Sequence, residues 1–267
     1  MKDFIKFKTS SPAGDLISML AGVRELCKKL NTKAIIYQRL NMTGIGYPNA
    51  IHPYKNEIGD EVAMNERMFD IVRPLVLEQW YIEDFIVYTG QEFNYDLDKV
   101  RLQVFTNQPL GSLNRWLFYV YPQMACDLSK NWLSIPSIGE PSFRFEMIIN
   151  FTYRYRNSVI DYHFLKKYEE RILFVGLSDE YEFFTKQWNL KTDFIDGLNF
   201  LDTAKLMVTA KCFLGNQSSC YQIAEGLKIP RILEISPLMP HVIPNGNNAY
   251  DFYHQDAVEY YVESLMN

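Results

Sequence analysis

Ser218 and Ser219 stand between a short apolar run, Cys212-Phe213-Leu214, and apolar residues at helical spacing, Tyr221, Ile223, Ala224 and Leu227. The intervening Gly215-Asn216-Gln217 breaks the strand, and the serines supply N-cap chemistry for a helix. Gly226 and Pro230 punctuate its exit before a second strand, Arg231 to Ile235. Strand, glycine turn, helix and strand in that order aim the N–H groups of a helix start at the tip of the preceding strand. Open α/β sheets bind anions there, above all phosphates. Asn216 and Gln217 carry amides suited to sugar hydroxyls.

Other residues offer partners for such a site. Asp15 stands where a loop enters a helix, and a carboxylate there can take the proton of a hydroxyl as it attacks. The helix dipole alone also favours an Asp at that place. Arg154 and Arg156 follow a strand; if the chain stays extended, a spacing of two puts both guanidiniums on one face, able to hold a diphosphate and stabilise it as a leaving group. Two solvated loop arginines stacking on Tyr153 and Tyr155 are the plainer reading. Glu225 and Glu234 are candidates for ribose hydroxyls, Glu234 the better placed because it ends a strand. His241 and Asn245 lie in a Pro-rich loop that could line a base pocket. Asp96-Leu97-Asp98 has the spacing of a metal-binding D-x-D, but it follows no nucleotide-binding strand unit, and chance explains it better. His52, His163 and His254 show no metal-ligand spacing, and no metal is assigned.

The elements that position these residues alternate. Phe4 to Lys8 reads as a strand, residues 9–15 as a tight loop, Leu16 to Leu30 as a helix and Ala34 to Tyr37 as a strand: one β-loop-α-β unit. Residues 41–60 are loop-rich. Glu66 to Tyr81 reads as a helix broken near Pro74, Phe85 to Tyr88 and Val100 to Phe105 as strands, and Leu113 to Pro122 as a helix. Ser134 to Pro141, with two prolines and a glycine, reads as a linker. Strands at 145–151, 172–176, 192–195, 212–214, 231–235 and 249–253 then alternate with helices at 161–170, 178–188 (capped by Ser178), 200–210, 219–227 and 255–266. This predicts an α/β chain of two Rossmann-like domains facing across a cleft, residues 1–140 and 141–267, with a last helix able to return to the first domain. Ligands would sit in that cleft, at the carboxyl ends of the strands, and domain closure would exclude water.

Bulk composition narrows the classes. The 267 residues are 48% hydrophobic and 22% charged, a globular balance, and 15% aromatic, which suits large cores or a stacking cleft. A net charge of −5 gives no support for a general nucleic-acid or anionic-membrane surface. The four cysteines lack C-x-x-C spacing. MKDFIKFKTS has no apolar signal region and no run reaches transmembrane length, so a cytoplasmic protein is expected.

Thr9-Ser10-Ser11, then Gly14-Asp15-Leu16 after a short strand, resembles the amino-terminal motif of the heptosyltransferase-type glycosyltransferases, glycosyltransferase family 9. Phe213-Leu214-Gly215-Asn216-Gln217-Ser218 with Pro230 to Glu234 resembles their nucleotide-sugar motif, and Phe174-Val175-Gly176-Leu177 with Glu180 also fits. Pro12-Ala13 replaces the usual linker before the glycine. The resemblance implies a GT-B-like fold and an inverting, metal-independent transfer from a nucleotide-diphospho-sugar to an acceptor hydroxyl; the acceptor itself is open, with a glycan, a lipid-linked glycan and a modified nucleic-acid base as candidates. It also implies that Asp15 is the catalytic base and that Gly215, Asn216, Gln217, Ser218 and Ser219 face the donor. Arg154, Arg156 and Glu234 complete the donor set read from the residues. An epimerase on the same fold, or a non-catalytic nucleotide-sugar-binding or scaffold protein, are the rival readings.

Overall fold

The computed structural model describes residues 3–43, 54–104, 111–136 and 145–267. The amino-terminal half holds a four-stranded parallel sheet, ordered β3 (Ile82–Val87), β2 (Ala34–Gln38), β1 (Ile5–Thr9) and β4 (Tyr95–Asp96). Helices α1 (Ala13–Leu30), α2 (Glu66–Leu77), α3 (Lys99–Val104) and α4 (Leu113–Val120) accompany it. The carboxyl-terminal half holds a six-stranded parallel sheet: β10 (Ala249–Phe252), β9 (Arg231–Glu234), β8 (Cys212–Asn216), β5 (Met147–Asn150), β6 (Ile172–Val175) and β7 (Asp193–Ile195). Its helices are α5 (Ser178–Trp188), α6 (Phe200–Met207), α7 (Ser219–Leu227) and α8 (Gln255–Met266). In both sheets the first strand lies inside the order, with later strands on either side. Each half therefore has a switch point, at β1/β4 and at β5/β8, where ligands enter such sheets.

Strand periodicity builds two cores. Met147, Ile149, Phe174, Leu214 and Ile232 pack outward with Val258, Val262 and Met266 of α8. The alternate residues Ile148, Leu173, Phe213 and Leu233 turn inward to a second core. That inner core is continuous with the amino-terminal half, through Leu16, Leu20 and Val23 of α1, Val72 of α2 and Trp116 of α4. The terminal helix α8 thus belongs to the carboxyl-terminal sheet and does not return to the first half, because its apolar face is spent on β9 and β10.

A short strap closes the seam. Trp132 is buried; its indole donates to Ile17 O of α1 at 2.9 Å, and its amide donates to Gly226 O of α7 at 3.0 Å. Tyr81 Oη donates to Trp132 O at 2.9 Å. Gly226 has no room for a side chain: a Cβ there would lie 2.7 Å from Leu133.

Several expectations shift. Helix α1 begins at Ala13, with Pro12 as N-cap and Leu16 N–H donating to Pro12 O at 3.0 Å, so Asp15 lies inside the first turn. Helix α2 runs through Pro74 to Leu77 without breaking. Residues 99–104 are helical where a strand was expected; a short apolar run does not distinguish the two. Residues 163–171 form 3₁₀ turns. Ser178 is the first residue of α5 and Leu177 its N-cap, with no side-chain cap. The 140/141 boundary and most of the Ser134–Pro141 linker lie outside the described residues, as do His52 and half of the 41–60 loop.

Because the halves share one core, they should unfold together. Trp132→Ala is expected to cost ~3–5 kcal/mol, read by urea denaturation, and the wild type should show one transition by every probe. Two separate transitions would contradict a shared core.

Candidate functional site

The amino-terminal ends of α1 and α7 meet. A Cβ placed on Gly14 would lie 3.5 Å from Ser219 Oγ and 3.7 Å from Ser219 N. The two helix starts belong to different halves, and each follows the carboxyl end of a strand, β1 or β8. At α7, Ser218 Oγ accepts from Tyr221 N–H at 3.2 Å as a true N-cap. At α1 no side chain caps the first turn. The loop before α1 is pinned instead by the D-x-D pair: Asp98 Oδ1 accepts from Ser10 N–H at 2.6 Å, and Lys8 Nζ lies 2.8 Å from Asp96. Those two aspartates are scaffold for the β1–α1 turn. Two positive helix ends side by side form a place for an anion.

Asp15 stands at this junction, about a quarter exposed, with its carboxylate ion-paired to Arg101 of α3. Burial raises the phenol of Tyr155 above the usual value, with the charges of Arg154, Asp15 and Arg101 acting on it as well. Arg154 lies 6.0 Å from the Tyr155 ring. His241 is buried, stacked on Trp116 of α4 at 5.2 Å, with its Nε2 2.9 Å from the Gln217 amide nitrogen. Burial lowers its pKa, opposed by Asp15.

Arg154 opens onto a cavity of about 110 Å³ at the carboxyl ends of β5, β6, β7 and β8. That volume is well below the ~300 Å³ of a whole small-molecule pocket, so it suits one part of a larger ligand. Thr152, Gly176, Glu180, Asp196 and Ser219 line it from the carboxyl-terminal half, and Tyr54, Arg67, Met68 and Ile71 from the amino-terminal half. Glu180 is 7% exposed, and burial raises its carboxyl to about 7 against the pull of Arg154 and the Leu177 backbone. Tyr54 is pushed up to about 12 by burial, with Glu180, Arg154, Cys220 and Arg67 acting on it. A carboxyl displaced this far in a cleft is a recognised mark of a functional position.

The other expected residues are placed differently. The chain does not stay extended after β5: Tyr155 adopts φ 58, a left-handed conformation unusual for an aromatic residue, and the two arginines part. Arg156 turns away from the cavity to Glu234, Nε to Oε1 at 3.0 Å and a terminal nitrogen to Oε2 at 3.3 Å. Glu234, fully buried, also accepts from Asn157 N–H at 2.6 Å and Tyr162 Oη at 2.5 Å. Four bonds occupy this carboxylate, which corrects the expectation that Arg156 and Glu234 present themselves to a donor. Gly215 and Asn216 are not a turn but the end of β8. A Cβ at Gly215 would sit 2.4 Å from Asn150 O, so only glycine fits. The Asn216 amide is consumed by Thr152 N–H at 2.9 Å and Arg154 O at 2.6 Å, fixing the segment that carries Arg154. Glu225 is buried against Arg231, Lys228 at 2.5 Å and Asn245 N–H at 3.1 Å, so neither it nor Asn245 faces the cavity.

Arg101, Tyr54, Arg67 and Asn150 escaped the sequence reading, and Glu180 carried no role in it. Arg101 is 86 residues from Asp15, and no local signal joins them. For Glu180 the signal was available: a carboxyl in the first turn of a helix that follows a buried strand. Among the described residues no group of three or more His, Cys, Asp or Glu could hold a metal ion, and no helix is long and apolar enough to cross a membrane.

No protein-family model matches the sequence, and no curated protein matches it. Solved structures share its architecture. The E. coli ADP-heptose lps heptosyltransferase II superposes with a TM-score of 0.62 at 12% identity, over 99% of this chain and 98% of that one. The E. coli heptosyltransferase WaaC with ADP gives 0.62 at 10%, over 98% and 100%. The glycosyl transferase family 9 from Veillonella parvula gives 0.54 at 9%, over 98% and 88%. At these identities the likeness is one of fold: two parallel sheets with helices, in the arrangement of GT-B-type heptosyltransferases.

The raised carboxyl of Glu180 sets a pH dependence. Ionising it costs stability in the folded state only. That stability is whole below the ordinary glutamate value of 4.5 and is lost as pH rises to about 7. Glu180→Gln should therefore be more stable than wild type at pH 8, by up to ~3 kcal/mol, with the gap closing towards pH 4. A gap independent of pH, read by urea denaturation, would contradict the buried carboxyl.

Proposed function

We propose that this chain is a glycosyltransferase that moves a sugar from a nucleotide-diphospho-sugar to an acceptor hydroxyl, with inversion at the anomeric carbon and without a metal in the chemistry. The observation that carries this reading is the meeting of α1 and α7, which sets Asp15 beside a phosphate-type helix start. The fold shared with the heptosyltransferase structures supports it.

In this reading the donor lies along the carboxyl ends of the second sheet. Its nucleoside end enters the cavity at Glu180, and its diphosphate meets Arg154 and the N–H groups of α7 at Ser218 and Ser219. A cation and a helix dipole at the leaving group offset the charge that develops as the glycosidic oxygen departs. Asp15 takes the proton of the acceptor hydroxyl as that oxygen attacks the anomeric carbon from the opposite face. Arg101 holds the carboxylate in place. Gln217, tethered to His241, stands next to the sugar. Arg156, Glu234, Gly215 and Asn216 act behind this surface by fixing the Thr152–Arg154 segment and the strand ends.

Adenine nucleotide-sugars are the first donors to test, since the E. coli WaaC of the same fold was solved with ADP. A thermal-shift series with ADP-, UDP-, GDP- and CMP-sugars should single out one nucleotide, because a ligand that binds only the folded state raises its stability. With that donor and a productive acceptor, Asp15→Asn should lower turnover by ~10²–10⁴ and leave donor affinity within about twofold. Turnover retained in Asp15→Asn removes the base assignment. Conversion of free donor without an acceptor would point to epimerisation.

A further inference from the structure

The cavity beside Glu180 belongs to both halves. Its floor is the carboxyl edge of the second sheet, and its cover is the amino-terminal half, with Tyr54 and the first two turns of α2. α2 packs on α6 through the shared core, so this cover is fixed by the fold. One face of α2 is apolar, Met68, Val72 and Leu75, and enters the core. Arg67 stands next to it, exposed to solvent and lining the cavity. Arg154 lines the same cavity from the other half, and Tyr54 senses both charges. The start of α7, a helix of nine residues, contributes Ser219 and Cys220.

A second feature points to a ligand with a hydroxyl as well as an anion. Asn150, 3% exposed, lines the cavity, and its Oδ1 has no hydrogen-bond partner although its Nδ2 donates to Val175 O at 2.8 Å. A buried carbonyl oxygen without a donor is costly, and a ribose hydroxyl would satisfy it. Phosphates and ribose hydroxyls together describe a nucleoside diphosphate rather than a free phosphate.

We infer that Arg67, on the half opposite the donor-binding sheet, is a donor-binding residue: its guanidinium and that of Arg154 hold the diphosphate between them. This rests on the donor reading above and extends it, since one ligand then bridges the two halves. Two guanidiniums on a diphosphate form charge-assisted hydrogen bonds. Losing one set is expected to weaken binding ~10- to 100-fold.

The test is calorimetric titration of ADP, UDP, GDP and CDP into the full chain, then of the best of them, its nucleoside and inorganic pyrophosphate into Arg67→Ala. Arg73→Ala, on the same helix but paired with Asp84 at 3.5 Å, is the control. The expected result is a ~10- to 100-fold loss of diphosphate affinity in Arg67→Ala alone, with the nucleoside affinity and the unliganded melting temperature unchanged. Undiminished diphosphate affinity in Arg67→Ala overturns the inference and leaves the donor reading standing. Equal losses for nucleoside and diphosphate also overturn it, by showing a structural role. Pyrophosphate binding as tightly as the nucleoside diphosphate overturns the assignment of the ligand. A wild type that binds none of the four overturns both readings.

Discussion

The packing of α1 against α7 is the constraint on which the rest depends. α1 is buried along nearly its whole length, from Ala13 to Cys27, because it touches its own sheet, α4 and α7 at once. Gly22 shows how close these contacts are: a Cβ there would lie 2.6 Å from Leu117 of α4. A helix this enclosed cannot slide without opening the core. Its amino-terminal end is therefore fixed against that of α7, and two helix starts that serve separate sheets become one electropositive corner. The contact that joins the halves also assembles the site.

Charge is sorted around that corner. Arg156 and Glu234 neutralise each other inside the scaffold, with the guanidinium 4.7 Å from the Phe151 ring and 5.6 Å from Tyr162. Glu225, Arg231 and Lys228 form a second buried network under Trp132, where burial lowers Lys228 to about 8. Each network would be strongly destabilising if broken on one side. Their function is to hold loops: one fixes the chain beyond β5, the other the loop at Asn245. Asp15, ion-paired to Arg101, stands at the junction, and Arg154, Arg67 and Glu180 line the cavity. Glu180 is a buried carboxyl whose pKa burial raises to about 7, and it lines the same cavity as Arg154 and Arg67.

Local pattern made much of the architecture legible in the chain. Both β-α-β units and the switch from β8 to α7 follow from apolar period and helix-start residues that act within a few positions. The helix-start positions of Asp15, Ser218 and Ser219 were legible for the same reason, since helix starts announce themselves. Arg101 against Asp15, Tyr54 and Arg67 around the same cavity as Arg154, and Trp132 between α1 and α7 were not, because each grouping joins residues far apart in sequence. The arginine pair at 154 and 156 misled for a conformational reason. The reading assumed an extended chain, and the left-handed turn at Tyr155 sends the two side chains apart. Glu234 misled through its position: a strand end is where ligands bind, yet Tyr162 and Arg156 reach it first.

The central claim is that donor and base meet where α1 abuts α7. A structure of the complex with an unreactive nucleotide-sugar tests it most directly. The expected result is the diphosphate within hydrogen-bond distance of the Ser219 amide and the Arg154 guanidinium, the nucleoside end beside Glu180, and the anomeric carbon facing Asp15 with room for one hydroxyl between them. A donor bound elsewhere, or one whose anomeric carbon faces away from Asp15, would contradict it.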